Sequence, residues 1–232
     1  MCIRDRVLLS GLLFLRLFSG QVIVHVLVAD RLTCSRCGPE FGLILRADQT
    51  HDRRVTEGVL GCPNCRDQYP ITDGFGDLRA PPRSELPKGL AGDPVIRTQD
   101  ESEYLLPLLG ITRGPATVLL IGGPTELGPG LAALLDDIHV VGADADLARW
   151  PTDPSWSRIV SYPGIPLFSR SLRGVVIDGR LDRHWFEEAA RVIAPMSRVV
   201  VVNAATTTSE WLQAAGLSIM ADESGRVVAT SS

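Results

Sequence analysis

Four cysteines carry the clearest chemistry in the chain. Cys34 and Cys37 form one Cys-x-x-Cys pair, Cys62 and Cys65 form a second 24 residues further on, and Cys2 is left over. Two residues between thiolates let both sulfurs face one ion while turn amides stabilise their charge. Two such knuckles complete a closed tetrahedral site. A closed site has no open position, so the zinc it would hold is structural. The alternative is two separate redox or buried cysteine pairs. The segment's core is too small to fold without a staple, which favours metal. Paired spacing without a convincing secretion signal also points to a reducing compartment.

A second constellation runs from Thr117 to Asp144 (TVLLIGGPTELGPGLAALLDDIHVVGAD). It reads as a buried strand over 117–121, a glycine-rich turn, a helix over 131–136 and a second strand over 139–143 ending in an acid. A parallel strand–helix–strand unit makes a nucleotide-sized crevice at the carboxyl ends of its strands. Gly122 and Gly123 would line it, and Asp144 would accept hydrogen bonds from two ribose hydroxyls. A plain tight turn and a solvated strand-end acid are the bland alternatives. Phosphate-binding readings fail locally. Gly123-x4-Gly128 has Walker-like spacing, but Pro129 and Gly130 stand where Lys and Ser/Thr are needed. Gly128-x-Gly130-x-x-Ala133 matches a dinucleotide fingerprint by letter, yet begins too far past its strand to make the turn. Asp178 ends a later strand and joins the ligand-facing candidates. His184 and Trp185 follow it, where a general base is conceivable, although a helix cap beside a packed Trp is the plainer reading. No nucleophile can be named.

The elements that must position these groups are legible in outline. Short strands over 43–46, 56–60 and 68–71 surround the cysteines. Residues 81–97, rich in proline and glycine, read as an interdomain linker. Thr98 with Glu101 forms a capping box for a helix that Gly110 closes. Beyond it come strands over 157–161, 174–178 and 198–203, and a helix over 182–193 capped by Asp182 and stopped by Pro195. A short helix over 209–215 and a terminal strand pair around 222–225 complete the chain. The expected fold is α/β: a doubly wound, mostly parallel sheet with an antiparallel last strand, plus a small β-rich zinc ribbon.

The chain of 232 residues accommodates one sizeable domain or two modest ones. Its formal charge is −4, and Lys88 is the single lysine among 23 basic residues. No basic block is visible, so charge does not indicate nucleic acid as a partner. Residues 7–28 are apolar, but Arg16, Gln21 and His25 interrupt the run and no small-residue cleavage site follows. The leading MCIRDR resembles a translated sequencing-adapter scar. Residues 1–28 are therefore read as a non-native apolar leader, with a membrane anchor or a core helix as alternatives. The expected domains are a ribbon over 30–80 and a sheet domain over 98–232, in a cytoplasmic protein.

Two resemblances follow from particular residues. Cys62, Pro63, Cys65, Tyr69, Pro70, Ile71, Asp73, Gly74 and Leu78 match the second half of the small zinc-ribbon proteins that activate methyltransferases, with Phe75-Gly76 replacing the usual Ile-Pro. That resemblance implies a partner methyltransferase or translation-related protein. From VLLIGG through VVGAD to EEAARVIAPMSRVVVV, the later chain resembles the class I S-adenosylmethionine-dependent methyltransferases. This implies S-adenosylmethionine as cofactor, bound by Gly122, Gly123, Asp144 and Asp178. Three positions depart from the family pattern. Leu120 replaces an acid, Pro124 removes an amide donor, and Glu126 adds charge where the methionine moiety should lie. Three functions therefore stand side by side. They are an active methyltransferase, a degenerate scaffold that docks a partner methyltransferase through its ribbon, and, third, a nicotinamide-dependent enzyme.

Overall fold

A computed structural model describes residues 24–51, 53–93, 99–134, 136–151 and 153–232. Most of the expected leader (1–23), the capping Thr98 and the end of the expected linker (94–97) lie outside the described residues. The chain is described from β1 (Val24–His25) and the single helical turn α1 (Val26–Ala29). Six strands follow in the cysteine-bearing part. They are β2 (Thr33–Cys34), β3 (Gly38–Gly42), β4 (Ile44–His51), β5 (Arg54–Gly61), β6 (Gln68–Thr72) and β7 (Phe75–Asp77). Helix α2 (Gln99–Leu109) precedes β8 (Ala116–Ile121), α3 (Gly128–Ala132) and β9 (Ile138–Ala143). Then come β10 (Ser157–Val160), β11 (Leu172–Asp178), α4 (Arg183–Val192) and β12 (Ile193–Val202). Helix α5 (Thr208–Ala214) and the hairpin β13 (Ser218–Glu223) and β14 (Arg226–Thr230) end the chain.

The later strands are ordered β10-β9-β8-β11-β12-β14-β13. The first five run parallel, and β14 inserts antiparallel between β12 and β13. This is the doubly wound sheet with a reversed last strand that the alternating pattern predicts. Ser224 and Gly225 turn the hairpin with φ of 53° and 74°, the left-handed pair a tight two-residue turn requires. Strand order reverses between β8 and β11, so the switch point and its crevice lie at the carboxyl ends of these strands.

The cysteine-bearing part does not stand apart from this sheet. Strand β7 pairs in parallel with β10, matching Phe75 to Arg158 and Asp77 to Val160, and β6, β5 and β4 continue outward antiparallel. The sheet therefore passes unbroken from one part into the other. Its core is shared as well. Leu60, Tyr69, Ile71 and Leu78 belong to the same buried cluster as Leu119, Ile121, Val175 and Phe186. Val118, Leu120 and Val140 point to the other face, against Leu105, Leu109 and Leu131. Strands apolar on both faces are what a sheet covered on both sides needs.

Several local expectations are corrected. Val24, Val28 and Ala29 belong to the same core cluster, and β1 pairs with β5, so the end of the expected leader is integral to the fold. The helix expected over 131–136 begins earlier, as a 3-10 turn from Gly123 to Leu127 that runs into α3. Pro124 and Pro129 stand in the first turn of each segment, where a missing amide costs nothing. Asp182 has cap geometry, but its side chain accepts no capping hydrogen bond. Helix α4 buries Phe186, Ala189 and Val192, leaving Trp185 half-buried. Pro195 does not stop that helix; it lies within β12, which starts at Ile193. No helix among the described residues is long and apolar enough to cross a membrane.

Candidate functional site

The four predicted metal ligands come together. Their sulfurs all lie within 4.8 Å of one another, with Cys34 to Cys65 at 3.6 Å and Cys37 to Cys62 at 3.8 Å. A disulfide would need about 2.05 Å. Sulfurs placed tetrahedrally at ~2.3 Å from a zinc ion are roughly 3.8 Å apart, so the set fits that ion. The amide of Cys37 and the Tyr69 hydroxyl lie 3.4 and 3.1 Å from the Cys34 sulfur. Burial alone would raise the Cys34 thiol, but these hydrogen bonds bring it down to about 7. Burial pushes Cys65 up to about 12. Binding of a cation supplies what such a thiol lacks, since metal ligation deprotonates it.

The second site is the crevice at the switch point. Gly122 leaves β8 with φ 73°, a conformation that suits glycine. Asp144 is buried at the end of β9, and its Oδ1 accepts from the Asp146 amide at 2.8 Å. Its Oδ2 accepts from the Leu90 amide at 2.9 Å. Burial raises the Asp144 carboxyl above its ordinary value, against the pull of these amides. A cavity of about 490 Å³ opens beside them, with Gly122, Ala143, Asp144, Val160, Leu181 and Trp185 in its wall. Its wall is mostly apolar in area, with Asp144, Glu85 and the cationic Arg79, Arg83 and Lys88 among its charged residues, and its size suits a nucleoside-sized ligand.

Asp178 is fully buried at the end of β11. Arg180 donates to it through the guanidinium at 2.8 and 2.6 Å and through the main chain at 3.0 Å, and Asn203 donates at 3.4 Å. Burial alone would raise this carboxyl; the Arg180 bonds and charge hold it below the usual range. Gly123 sits so close that a Cβ there would be 2.5 Å from Asp178 Oδ2. Gly123, Glu126, Arg180 and Asn203 line a second cavity of about 600 Å³. His184, considered as a base in the sequence, is exposed, with Nε2 2.8 Å from the Pro163 carbonyl.

No family model matches the sequence, and no curated protein matches it either. Solved structures are similar in fold. One is precorrin-6y C5,15-methyltransferase from Geobacter metallireducens, 13% identical, with TM-score 0.43, covering 64% of this chain and 95% of that one. A second is the S-adenosylmethionine-dependent O-methyltransferase from Thermotoga maritima, 9% identical, with TM-score 0.42, covering 59% and 66%. A chain from the complex of the Haloferax volcanii Trm112 methyltransferase activator with a methyltransferase is 18% identical, with TM-score 0.40, covering 54% and 76%.

The group that the sequence does not reveal is the strap over residues 87–93. Its backbone, expected to be a free linker, lies against the loop after β9. The Gly92 amide donates to Asp146 at 3.2 Å, and Trp150 Nε1 donates to the Gly92 carbonyl at 3.0 Å. Arg149 pairs with Asp93 and Asp146. Leu90 lines both cavities and so divides the crevice. The only sequence signal for this is the pair Gly89 and Gly92 within a proline-rich run.

Proposed function

We propose that the protein is an S-adenosylmethionine-dependent methyltransferase whose structural zinc ribbon is built into its own sheet. One observation carries the reading: a buried carboxylate, Asp144, ends the strand next to β8 and faces a nucleoside-sized cavity beside Gly122. In this reading Asp144 binds the ribose hydroxyls, Gly122 and Gly123 allow close approach of the ligand, and Asp178 holds the turn and Arg180 in place. The cofactor supplies an electrophilic methyl group. The chain contributes by orienting donor and acceptor and by excluding water, which needs no protein nucleophile. The ribbon's role is to extend the sheet from β10, and zinc holds its two knuckles together.

A second reading has its own support. Asp144 is already engaged by Leu90, and Pro124 and Glu126 occupy the turn, as expected of a degenerate scaffold that carries out no transfer. Its proposed partner methyltransferase would have to dock on a surface other than the β7 edge, which β10 takes. Calorimetry with S-adenosylmethionine separates the two. The enzyme reading expects one site per chain, weakened about tenfold or more by Asp144→Asn, which removes charge-assisted acceptors. Absence of heat at millimolar ligand would leave the scaffold.

A further inference from the structure

Residues 87–93 do more than connect two parts of the chain. Their contacts go to the rim of the crevice, where the Leu90 amide reaches Asp144 and the Gly92 amide reaches Asp146, the two acids that follow β9. Ala91 between them is fully buried. The approach is so close at Gly89 that a Cβ there would stand 1.7 Å from Asp144 Oδ1 and 2.5 Å from its Cγ. A main-chain N–H on a carboxylate oxygen offers it the same interaction as a sugar hydroxyl. Leu90 also separates the 490 Å³ cavity from the 600 Å³ one, and a ligand with a nucleoside at one end and an amino acid at the other has to pass the place it occupies.

We propose that the strap of residues 87–93 is an intramolecular competitor for the ribose-binding carboxylate, so that a nucleoside ligand binds only when the strap leaves Asp144. This rests on the reading of Asp144 as the ribose acid. The strap holds the crevice closed, and the measured affinity is the intrinsic affinity reduced by the fraction of molecules with the strap released. Release breaks the Leu90 and Gly92 amide bonds, the Trp150 bond to Gly92 and the Arg149–Asp93 pair. Gly92, at φ +67°, gives the strap a turn that glycine adopts without strain. The adjacent loop is fixed independently, because Arg158 donates to the carbonyls of Leu147 and Trp150 at 2.8 Å each.

The test compares the full chain with Gly89→Ala, whose Cβ cannot stand beside the Asp144 carboxylate while the strap keeps its place. The probe is S-adenosylhomocysteine, titrated by calorimetry, with strap release followed by amide hydrogen exchange. Gly89→Ala is expected to bind at least about tenfold tighter than the unaltered chain, since two charge-assisted hydrogen bonds no longer compete. Gly92→Ala, which strains the strap without approaching Asp144, is expected to move affinity the same way by a smaller factor. Equal affinity in all three proteins, with the strap released in the variants, overturns the competition and leaves the ligand reading standing. No binding by any of them, with the strap released, overturns the ligand reading and the competition with it.

Discussion

The Leu90 amide donates to Asp144 Oδ2 at 2.9 Å, joining residues 54 positions apart in the chain. The acid that marks the ribose position in the sequence is therefore part of a closed contact. Both ends of the strap are tied down. Near its start, Ser35 in the first cysteine knuckle donates to the Leu78 carbonyl, and Arg36 donates to the Pro81 carbonyl. At its far end, Asp93 pairs with Arg149.

Zinc is therefore expected to affect the crevice without touching it. Metal analysis should find about one zinc per chain. Chelation, or Cys62→Ser, should separate the two cysteine knuckles and free Leu78 and Pro81 from Ser35 and Arg36. Limited proteolysis would then cut between residues 78 and 93 in the metal-free protein and spare the metal-bound one. A metal-free preparation with the strap still protected would contradict this coupling.

The cluster of four cysteines was legible because its signal is local: four thiols and two spacings. The parallel sheet was legible because each strand carries its own apolar pattern. The strap was not, and the reason is physical. It binds Asp144 through a main-chain amide, which nearly every residue type carries, so no side chain announces it. The reason for one glycine of the turn was hidden in a related way. Gly128 is required by Trp156, whose ring would meet a Cβ there at 2.4 Å, a constraint between residues remote in sequence. The pairing of β7 with β10 is likewise a backbone contact, which the separation into ribbon, linker and sheet domain did not foresee.

Arg158 is expected to support both parts at once. It is 1% exposed, and it donates to the carbonyls of Leu147 and Trp150 in the crevice loop and of Asp73 in the ribbon. Burial lowers its guanidinium to about 10, so it remains charged at neutral pH. Arg158→Met keeps most of the volume but leaves buried acceptors unpaired. The expected cost is about 1–3 kcal/mol in urea denaturation.

Acid is expected to act at the opposite end of the sheet. The rings of His25 and His139 lie 4.4 Å apart, with Arg53 and Arg54 near the first, and Arg31, Arg54 and Asp137 near the second. Burial, then the charges of His139 and the arginines, lower His25 to about 4. The unfolded chain takes up this proton near pH 6.5, whereas the folded one resists it down to about 4. The contribution is therefore complete above pH 6.5 and is lost as pH falls through this window. His25→Asn should flatten the fall in thermal stability between these limits; an unchanged profile would place the sensitivity elsewhere.

The most direct measurement is amide hydrogen exchange at Leu90, Ala91 and Gly92 with and without saturating S-adenosylhomocysteine. If a nucleoside takes Asp144 from the strap, ligand should accelerate exchange at Leu90 and Gly92 while slowing it along the Gly122–Gly123 turn. Ligand binding that leaves Leu90 protected, or protects it further, would contradict the account.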